Sequence, residues 1–251
     1  EEKQDPDFVV LPRYWVDERE VEARLAGRTD AGWLMGWRNI ARSTDERTMI
    51  AALVPRLAIG HSFPIMLGGM TAGRRACMLA SLSTLAYDYV ARLKVAGSNL
   101  TYFVYEQLPV LPPTTYDRRT PWHTLSLLED WVADRVDELV YTAWDMQPFA
   151  LDVGDDGPPF VWDEERRAWL RAELDAAYFH LYGLQRDEVD YILDTFPIIR
   201  RKDEARFGEY RTKRLVLEIY DAMAKAMATG EAYESPLDPP PGDGLRHADE
   251  A

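Results

Sequence analysis

Cysteine and histidine are scarce in this chain. The single cysteine, Cys77, excludes an internal disulfide bond and is typical of proteins from a reducing compartment, so we expect a cytoplasmic protein. Because Cys77 lies in the apolar run ACMLASL at 76–82, we predict that it is buried as a small apolar side chain. The four histidines are far apart in the sequence and the cysteine has no second cysteine to join, so no His/Cys metal cluster is predicted.

Several other marks of a specific chemistry are also missing. No apolar run approaches the roughly 18–20 residues that span a bilayer. The acidic N-terminus has no basic region of the kind that starts a signal peptide, so no membrane partner is expected. The glycine-rich run GGMTAG at 68–73 lacks the Lys and the Ser or Thr of a phosphate-binding loop. Four histidines leave a nucleophile–His–acid triad open, but no serine lies in the small-residue elbow that such enzymes favour. Paired acids are abundant and are typical of a hydrated surface. We therefore predict no catalytic residue, no metal site and no cofactor in this stretch of chain.

Positive charge is scarce overall but not in the centre of the chain. The formal net charge is −14. Residues 31–120 hold ten Arg or Lys against five acids, whereas residues 1–30 hold five against nine and residues 121–251 hold 14 against 29. The net charge argues against a polyanionic partner, but the basic centre leaves such a partner open.

The apolar pattern predicts an α+β fold, in which a β-containing core is followed by a mainly helical region. We expect an N-terminal arm and short helix at 1–30, a core at 31–120, a helical region at 121–230 and a disordered, proline-rich tail at 231–251. In the first half the pattern predicts an extended arm or strand at 8–15, a helix capped by Asp17 at 17–25, strands at 33–41, 48–54 and 100–107, β-like segments at 57–61 and 63–67, and one helix at 76–93. In the second half it predicts helices at 125–143, 163–182, 186–196 and 210–228, with a loop at 147–159.

Three blocks of the sequence resemble a known family. The run WRNIARSTDERTMIAALVP at 37–55 resembles an Arg-rich strand pair that opens the target-recognition region of adenine-specific DNA methyltransferases. The relevant members are type IIG-like fused restriction–modification enzymes and methyltransferases of phage-defence systems. The block at 82–112 is similar to the helix and strand that follow in that family, and to the equivalent part of type I specificity subunits. The blocks at 172–184, 194–197 and 210–213 are similar to the family's helical C-terminus.

The resemblance implies a recognition region separated from its catalytic half. That half carries a glycine-rich S-adenosylmethionine loop and an Asn/Asp-Pro-Pro-Tyr/Phe motif, and neither occurs here. The run Pro158-Pro159-Phe160 follows Gly157 rather than Asn or Asp. The implied function is sequence-specific recognition for an N6-adenine DNA methyltransferase, with double-stranded DNA and the catalytic domain of the same, longer chain as partners. S-adenosylmethionine would belong to that catalytic domain, and this stretch would not methylate DNA by itself.

Nine residues of the centre are candidates for DNA contact. Arginine can reach phosphates or pair bidentately with guanine, and polar side chains in exposed turns can meet base edges. The candidates are Arg38, Arg42, Arg47, Thr48, His61, Arg74, Arg75, Lys94 and Asn99.

Structural roles compete with several of these assignments. Arg42 or Arg47 could pair with the acids at 45–46 and fix the turn between the strands. His61 could be a structural histidine, and the arginines at 74–75 could either bind phosphate at a helix N-terminus or lie in a solvated loop. Lys94 also complements the C-terminal dipole of the predicted helix.

Two alternatives from other functional classes follow from the same sequence. The acidic helical half could dock a partner of a defence system, which would make the chain a protein-interaction module without direct DNA readout. A free-standing enzyme would need a deep polar pocket with perturbed titratable groups, which no sequence feature predicts.

Overall fold

The protein has an α+β fold in the computed structural model, which describes residues 2–248. Two small antiparallel sheets, β1–β2 and β3–β4, lie among ten α-helices within these residues. The strands are β1 (Trp33–Trp37), β2 (Ala51–Pro55), β3 (Arg119–Thr120) and β4 (His123–Leu127). The helices are α1 (Glu18–Leu25), α2 (Ala72–Ser83), α3 (Leu85–Lys94), α4 (Tyr102–Tyr105), α5 (Leu128–Val140), α6 (Gln147–Val153), α7 (Glu164–Leu181), α8 (Arg186–Asp194), α9 (Pro197–Phe207) and α10 (Arg211–Thr229).

The hairpin of β1 and β2 organises the first half of the chain. Trp33 pairs with Pro55 and Trp37 with Ala51, so the two predicted strands exist and pair, although both are shorter than expected. Every residue of β1 is buried. The segment 63–67 runs beside β1 through a single bridge between Gly36 and Ile65, whereas the segment 57–61 forms no strand.

The predicted helix at 76–93 is two helices rather than one. The chain breaks at Thr84, which ends α2 and caps α3 in an extended conformation. The Thr84 hydroxyl donates to the carbonyl oxygen of Ser81 (2.8 Å) and accepts from the backbone N–H of Tyr87 (3.4 Å). A threonine can satisfy the backbone groups of both helix ends in this way, so the apolar period continues across a break in the backbone.

The predicted strand at 100–107 is wrong, because this segment forms the short helix α4. Its aromatic residues suggested a strand, but they contact Trp37 instead. The Tyr105 ring stacks on Trp37 with 4.7 Å between ring centroids, and Tyr102 meets the same indole edge-on at 5.1 Å. Packing against a tryptophan of β1 therefore outweighs the strand propensity of the aromatic residues.

The second half is helical as predicted. It contains two helices that were not predicted, and one predicted helix begins later in the sequence than expected. Helix α6 lies within the predicted loop at 147–159, and α9 begins at Pro197, where proline fits the first helical turn. The helix expected from residue 125 begins at Leu128, because residues 123–127 pair with β3. Helix α7 packs chiefly against α10.

One apolar core extends through both halves of the chain. Cys77 is buried in it as predicted, and burial raises the pKa of its thiol well above the ordinary range. The Tyr178 hydroxyl of α7 donates to the carbonyl oxygen of Cys77 in α2 (2.6 Å), which ties the helical half to the centre. Within residues 2–248, no helix combines the length and the hydrophobicity needed to cross a membrane.

The proline-rich tail is packed rather than disordered over its described part, residues 231–248. Tyr233 is buried, and its hydroxyl donates to Oε1 of Glu173 at 2.7 Å. Arg246 forms an ion pair with Asp155 at 2.8 Å. Proline excludes a helix here, but single side chains still dock into the helical region; residues 249–251 of the predicted tail lie outside the described residues.

Candidate nucleic-acid interface

Asp88 of α3 holds the Arg-rich turn of the centre in place. It is fully buried, and its Oδ1 accepts hydrogen bonds from the backbone N–H groups of Thr48 (2.8 Å) and Met49 (2.6 Å). Its Oδ2 lies 3.4 Å from Nε of Arg47 and 3.2 Å from Nε of Arg92. Because Thr48 is itself fully buried, it is not accessible to DNA, and its role in this structure is to anchor the turn.

Arg47 serves the same junction. Its Nη2 donates to the carbonyl oxygens of Ser83 (2.5 Å) and Thr84 (3.0 Å), where α2 ends and α3 begins. Carbonyl groups at a helix C-terminus have no intrahelical donor, so a guanidinium is well suited to this position. Because Arg47 makes these bonds within the fold, its guanidinium is not available for contact with DNA.

Arg75 is likewise unavailable to a ligand, because it is buried in the first turns of α2. Its guanidinium donates to the carbonyl oxygens of Met66 (3.0 Å) and Gly68 (2.5 Å), and so closes the glycine loop onto the helix. Burial lowers the pKa of Arg75 from its ordinary value.

Arg74, the neighbouring candidate, is paired with acids. It forms ion pairs with Asp117 and with Glu129, the latter at 3.2 Å, and lies over the ring of Tyr116. A phosphate would have to displace two carboxylates to reach this guanidinium, so the expected phosphate site at the N-terminus of α2 is occupied by the chain's own charges.

The other five candidates are exposed at the surface of the centre. We call this set the exposed basic face. Its members are Arg38, Arg42, His61, Lys94 and Asn99.

Backbone pairing brings three separate segments of this face together. Asn39 N–H donates to the carbonyl oxygen of Ser62 (2.8 Å), and Ile40 bridges to Asn99. As a result, His61 and Asn99 line the same shallow depression, which has a volume of about 350 Å³. The residues from 38 to 42 therefore run between the loop at 61–62 and the turn at 98–99.

The cations of the exposed basic face differ in whether they are paired with other residues of the chain. Arg38 lies 3.6 Å from Asp45, and both side chains are well exposed, so this pair is weak. The side chains of Arg42 and Lys94 form no hydrogen bond or ion pair with any of residues 2–248. Two cations are thus free to meet an anion without breaking an internal interaction.

Sequence reasoning missed three neighbours of this face. Asn39 lines the depression, and its Oδ1 is buried without a hydrogen-bond partner among the described residues. Tyr102 is 54 % exposed, and Phe103 is 78 % exposed. Asn39 follows Arg38 in the family-like motif and could have been chosen on that basis, whereas the exposure of the two aromatic rings depends on helix α4, which was predicted to be a strand.

The described residues contain no group of three or more His, Cys, Asp or Glu placed to hold a metal ion. Comparisons with protein-family models, with curated proteins and with solved structures found no match to this chain.

Proposed function

We propose that this chain is the target-recognition part of an adenine-specific DNA methyltransferase or fused restriction–modification enzyme, and that it binds double-stranded DNA through the exposed basic face. The observation that carries the proposal is that the segment with Arg38 and Arg42 lies between the loop of His61 and the turn of Asn99. The side chains of Arg42 and Lys94 are exposed and unpaired within residues 2–248. S-adenosylmethionine and the methyl transfer would belong to a separate catalytic domain, which acts on an adenine turned out of the duplex.

Phosphate contact is the first part of the proposed interaction. Arg42 and Lys94 can approach phosphates at no cost in internal ion pairs, and Arg38 can exchange its weak pairing with Asp45 for one. Binding of this kind releases condensed counterions from DNA, so affinity should fall steeply as salt rises. The acidic helical half would face away from the duplex.

Base readout is the second part. His61, Asn99 and Asn39 line the depression. The exposed side chains of His61 and Asn99 can each exchange hydrogen bonds with a base edge. The exposed rings of Tyr102 and Phe103 lie in the adjoining short helix α4 and offer apolar surface for a thymine methyl group or a base face.

Fluorescence anisotropy with random-sequence duplex DNA at several salt concentrations tests the proposed phosphate binding. We expect the double variant Arg42→Ala/Lys94→Ala to bind more weakly and to lower the slope of log K against log salt by about 0.9 for each phosphate that is no longer neutralised. The matched control, Arg201→Ala/Lys225→Ala, removes the same charge from exposed positions of the acidic half and should leave the slope unchanged.

Selection of bound duplexes from a random library tests the base readout. We expect the wild type to enrich one sequence motif and the variant His61→Ala/Asn99→Ala to lose part of it while keeping its salt dependence. No binding by the wild type at low salt, or an equal loss in the acidic-half control, would contradict the proposal and favour the protein-interaction alternative.

A further inference from the structure

A second cleft is lined by none of the residues of the exposed basic face. It consists of two adjoining cavities of about 370 Å³ and 460 Å³. We call them the inner and the outer cavity, because buried residues form a larger part of the lining of the first. The two cavities share Arg47, Arg171 and Asp175 as lining residues, so they lie next to each other. Each volume lies within the range of about 300–1,000 Å³ that is usual for small-molecule sites.

The inner cavity has largely apolar walls, contributed by strand β2 and by helices α2, α5 and α7. The aliphatic side chains that line it include Leu53, Leu79, Val136, Leu139 and Leu174. The outer cavity is polar, and acids and bases are mixed along its walls. The cleft as a whole therefore suits a ligand with one apolar end and one polar end.

A stripe of three charged residues on α7 runs along the cleft. Arg167, Arg171 and Asp175 follow one another at four-residue intervals, which places them on one face of the helix. Asp175 is buried, and its Oδ1 accepts the backbone N–H of Leu85 (2.6 Å). Burial raises the pKa of Asp175 to about 6, while Arg47 and Arg171 act in the opposite direction.

The cations of the cleft have unused hydrogen-bonding capacity. Arg171 is exposed, and its guanidinium forms no hydrogen bond and no ion pair with any of the residues that the structure describes. Arg167 donates one bond, to the carbonyl oxygen of Leu139 (2.9 Å), and keeps a buried Nε without a partner among those residues. The Nε of Arg47 is in the same condition, although Asp88 lies 3.4 Å from it.

The charges along the inner cavity leave an excess of positive charge. Three arginines line it against one carboxylate, and Arg47 is already held by Asp88. The lining of the inner cavity therefore holds more arginines than carboxylates. A guanidinium with unused N–H groups is matched by a planar anion that can accept two parallel hydrogen bonds.

We propose that this cleft binds a small organic carboxylate, with its apolar body in the inner cavity and its carboxylate on the guanidinium of Arg171. A carboxylate matches both the excess of arginines along the inner cavity and the fork of N–H donors. The site is independent of the exposed basic face, so it stands or falls separately from DNA binding.

Octanoate is a suitable probe, because it joins an eight-carbon chain to one carboxylate. Isothermal titration calorimetry with the whole chain should show saturable binding at one site, and thermal unfolding should move to higher temperature as octanoate is added. Acetate, which has the charge without the apolar body, and 1-octanol, which has the body without the charge, should each bind at least tenfold more weakly.

Two variants test the two ends of the site. Arg171→Met keeps an apolar stem of similar length and should weaken octanoate binding at least tenfold, whereas the control Arg201→Ala should leave it unchanged. Ala52→Leu, which extends a side chain into the inner cavity, should also weaken binding at least tenfold. Circular dichroism of the unliganded variants checks their fold.

Three results would each overturn the proposal. These are the absence of saturable octanoate binding by the wild type, an unchanged affinity in folded Arg171→Met, and binding of 1-octanol by the wild type as tight as that of octanoate. Since the comparison of octanoate with 1-octanol needs only the wild type, the test survives even if a variant fails to fold.

Discussion

Replacement of Asp88 by asparagine should destabilise the protein more than any other single removal of charge from the centre. Asn keeps the shape of the side chain and can still accept a hydrogen bond from the backbone N–H of Thr48 or Met49. It cannot supply the negative charge that lies 3.4 Å from Nε of Arg47 and 3.2 Å from Nε of Arg92. Two guanidinium groups would then share a buried site without a counter-charge.

The size of the effect follows from the burial of the three groups. Removal of one partner from a buried ion pair costs about 3–5 kcal/mol. Asp88 is fully buried, but the side chains of Arg92 and Arg47 are 12 % and 25 % exposed, so water compensates for part of the missing charge. We therefore take the lower end, about 3 kcal/mol, which corresponds to a fall in Tm of about 6–12 °C for a chain of this length.

Urea unfolding followed by circular dichroism measures the change in the free energy of unfolding. The matched control is Asp221→Asn, which breaks an exposed ion pair with Arg186 of 3.0 Å and should cost no more than about 1 kcal/mol. If Asp88→Asn is no more destabilising than this control, Asp88 does not organise the centre, and the structural roles of Arg47 and Thr48 are refuted.

Two further predictions concern pH and close packing. Burial, reinforced by the neighbouring carboxyl of Asp155, raises the pKa of Asp137 from 3.8 to about 8. Between these pH values the folded protein keeps a proton that the unfolded chain loses. The free energy of unfolding therefore falls as the pH rises from about 4 to about 8. Asp137→Asn should remove this pH dependence. The difference in unfolding free energy between the variant and the wild type should therefore grow in favour of the variant by up to about 1.4 kcal/mol for each unit of rising pH. Parallel stability–pH profiles of the two proteins would contradict this prediction. Gly36→Ala should cost about 1–3 kcal/mol or more, because a Cβ there would lie 2.4 Å from the carbonyl oxygen of Pro64, whereas Gly60→Ala meets nothing within 4 Å and should leave the urea midpoint nearly unchanged.

Local signals in the sequence predicted much of the fold. Asp17 caps α1 as expected, and its side chain accepts the N–H of Arg19. Gly183 and Gly230, which follow α7 and α10, adopt positive φ angles of 72° and 77°, a conformation that glycine reaches without strain. These features depend on residues within one turn of one another, so a single sequence is enough to identify them.

The errors in the fold have long-range causes. Helix α4 is stabilised by ring stacking and edge-on packing against Trp37, which is 65 residues before Tyr102. The break between α2 and α3 receives two hydrogen bonds from Arg47, which is 36 residues before Ser83. Neither interaction can be recognised from the local pattern of apolar residues in the sequence.

The same difference between local and long-range interactions determines which candidate residues are exposed and which are not. An arginine-rich motif predicts that cations are present, but the groups that engage them come from elsewhere in the chain: Asp88 binds the turn at Thr48 from 40 residues away, and Asp117 pairs with Arg74 from 43 residues away. Exposure of Arg42 is therefore a property of the fold rather than of the motif. Arg171 illustrates the converse, because the sequence places an acid four residues after it, which would ordinarily indicate a paired, solvated helix face. In the structure that acid, Asp175, accepts the N–H of Leu85 instead and forms no ion pair with Arg171.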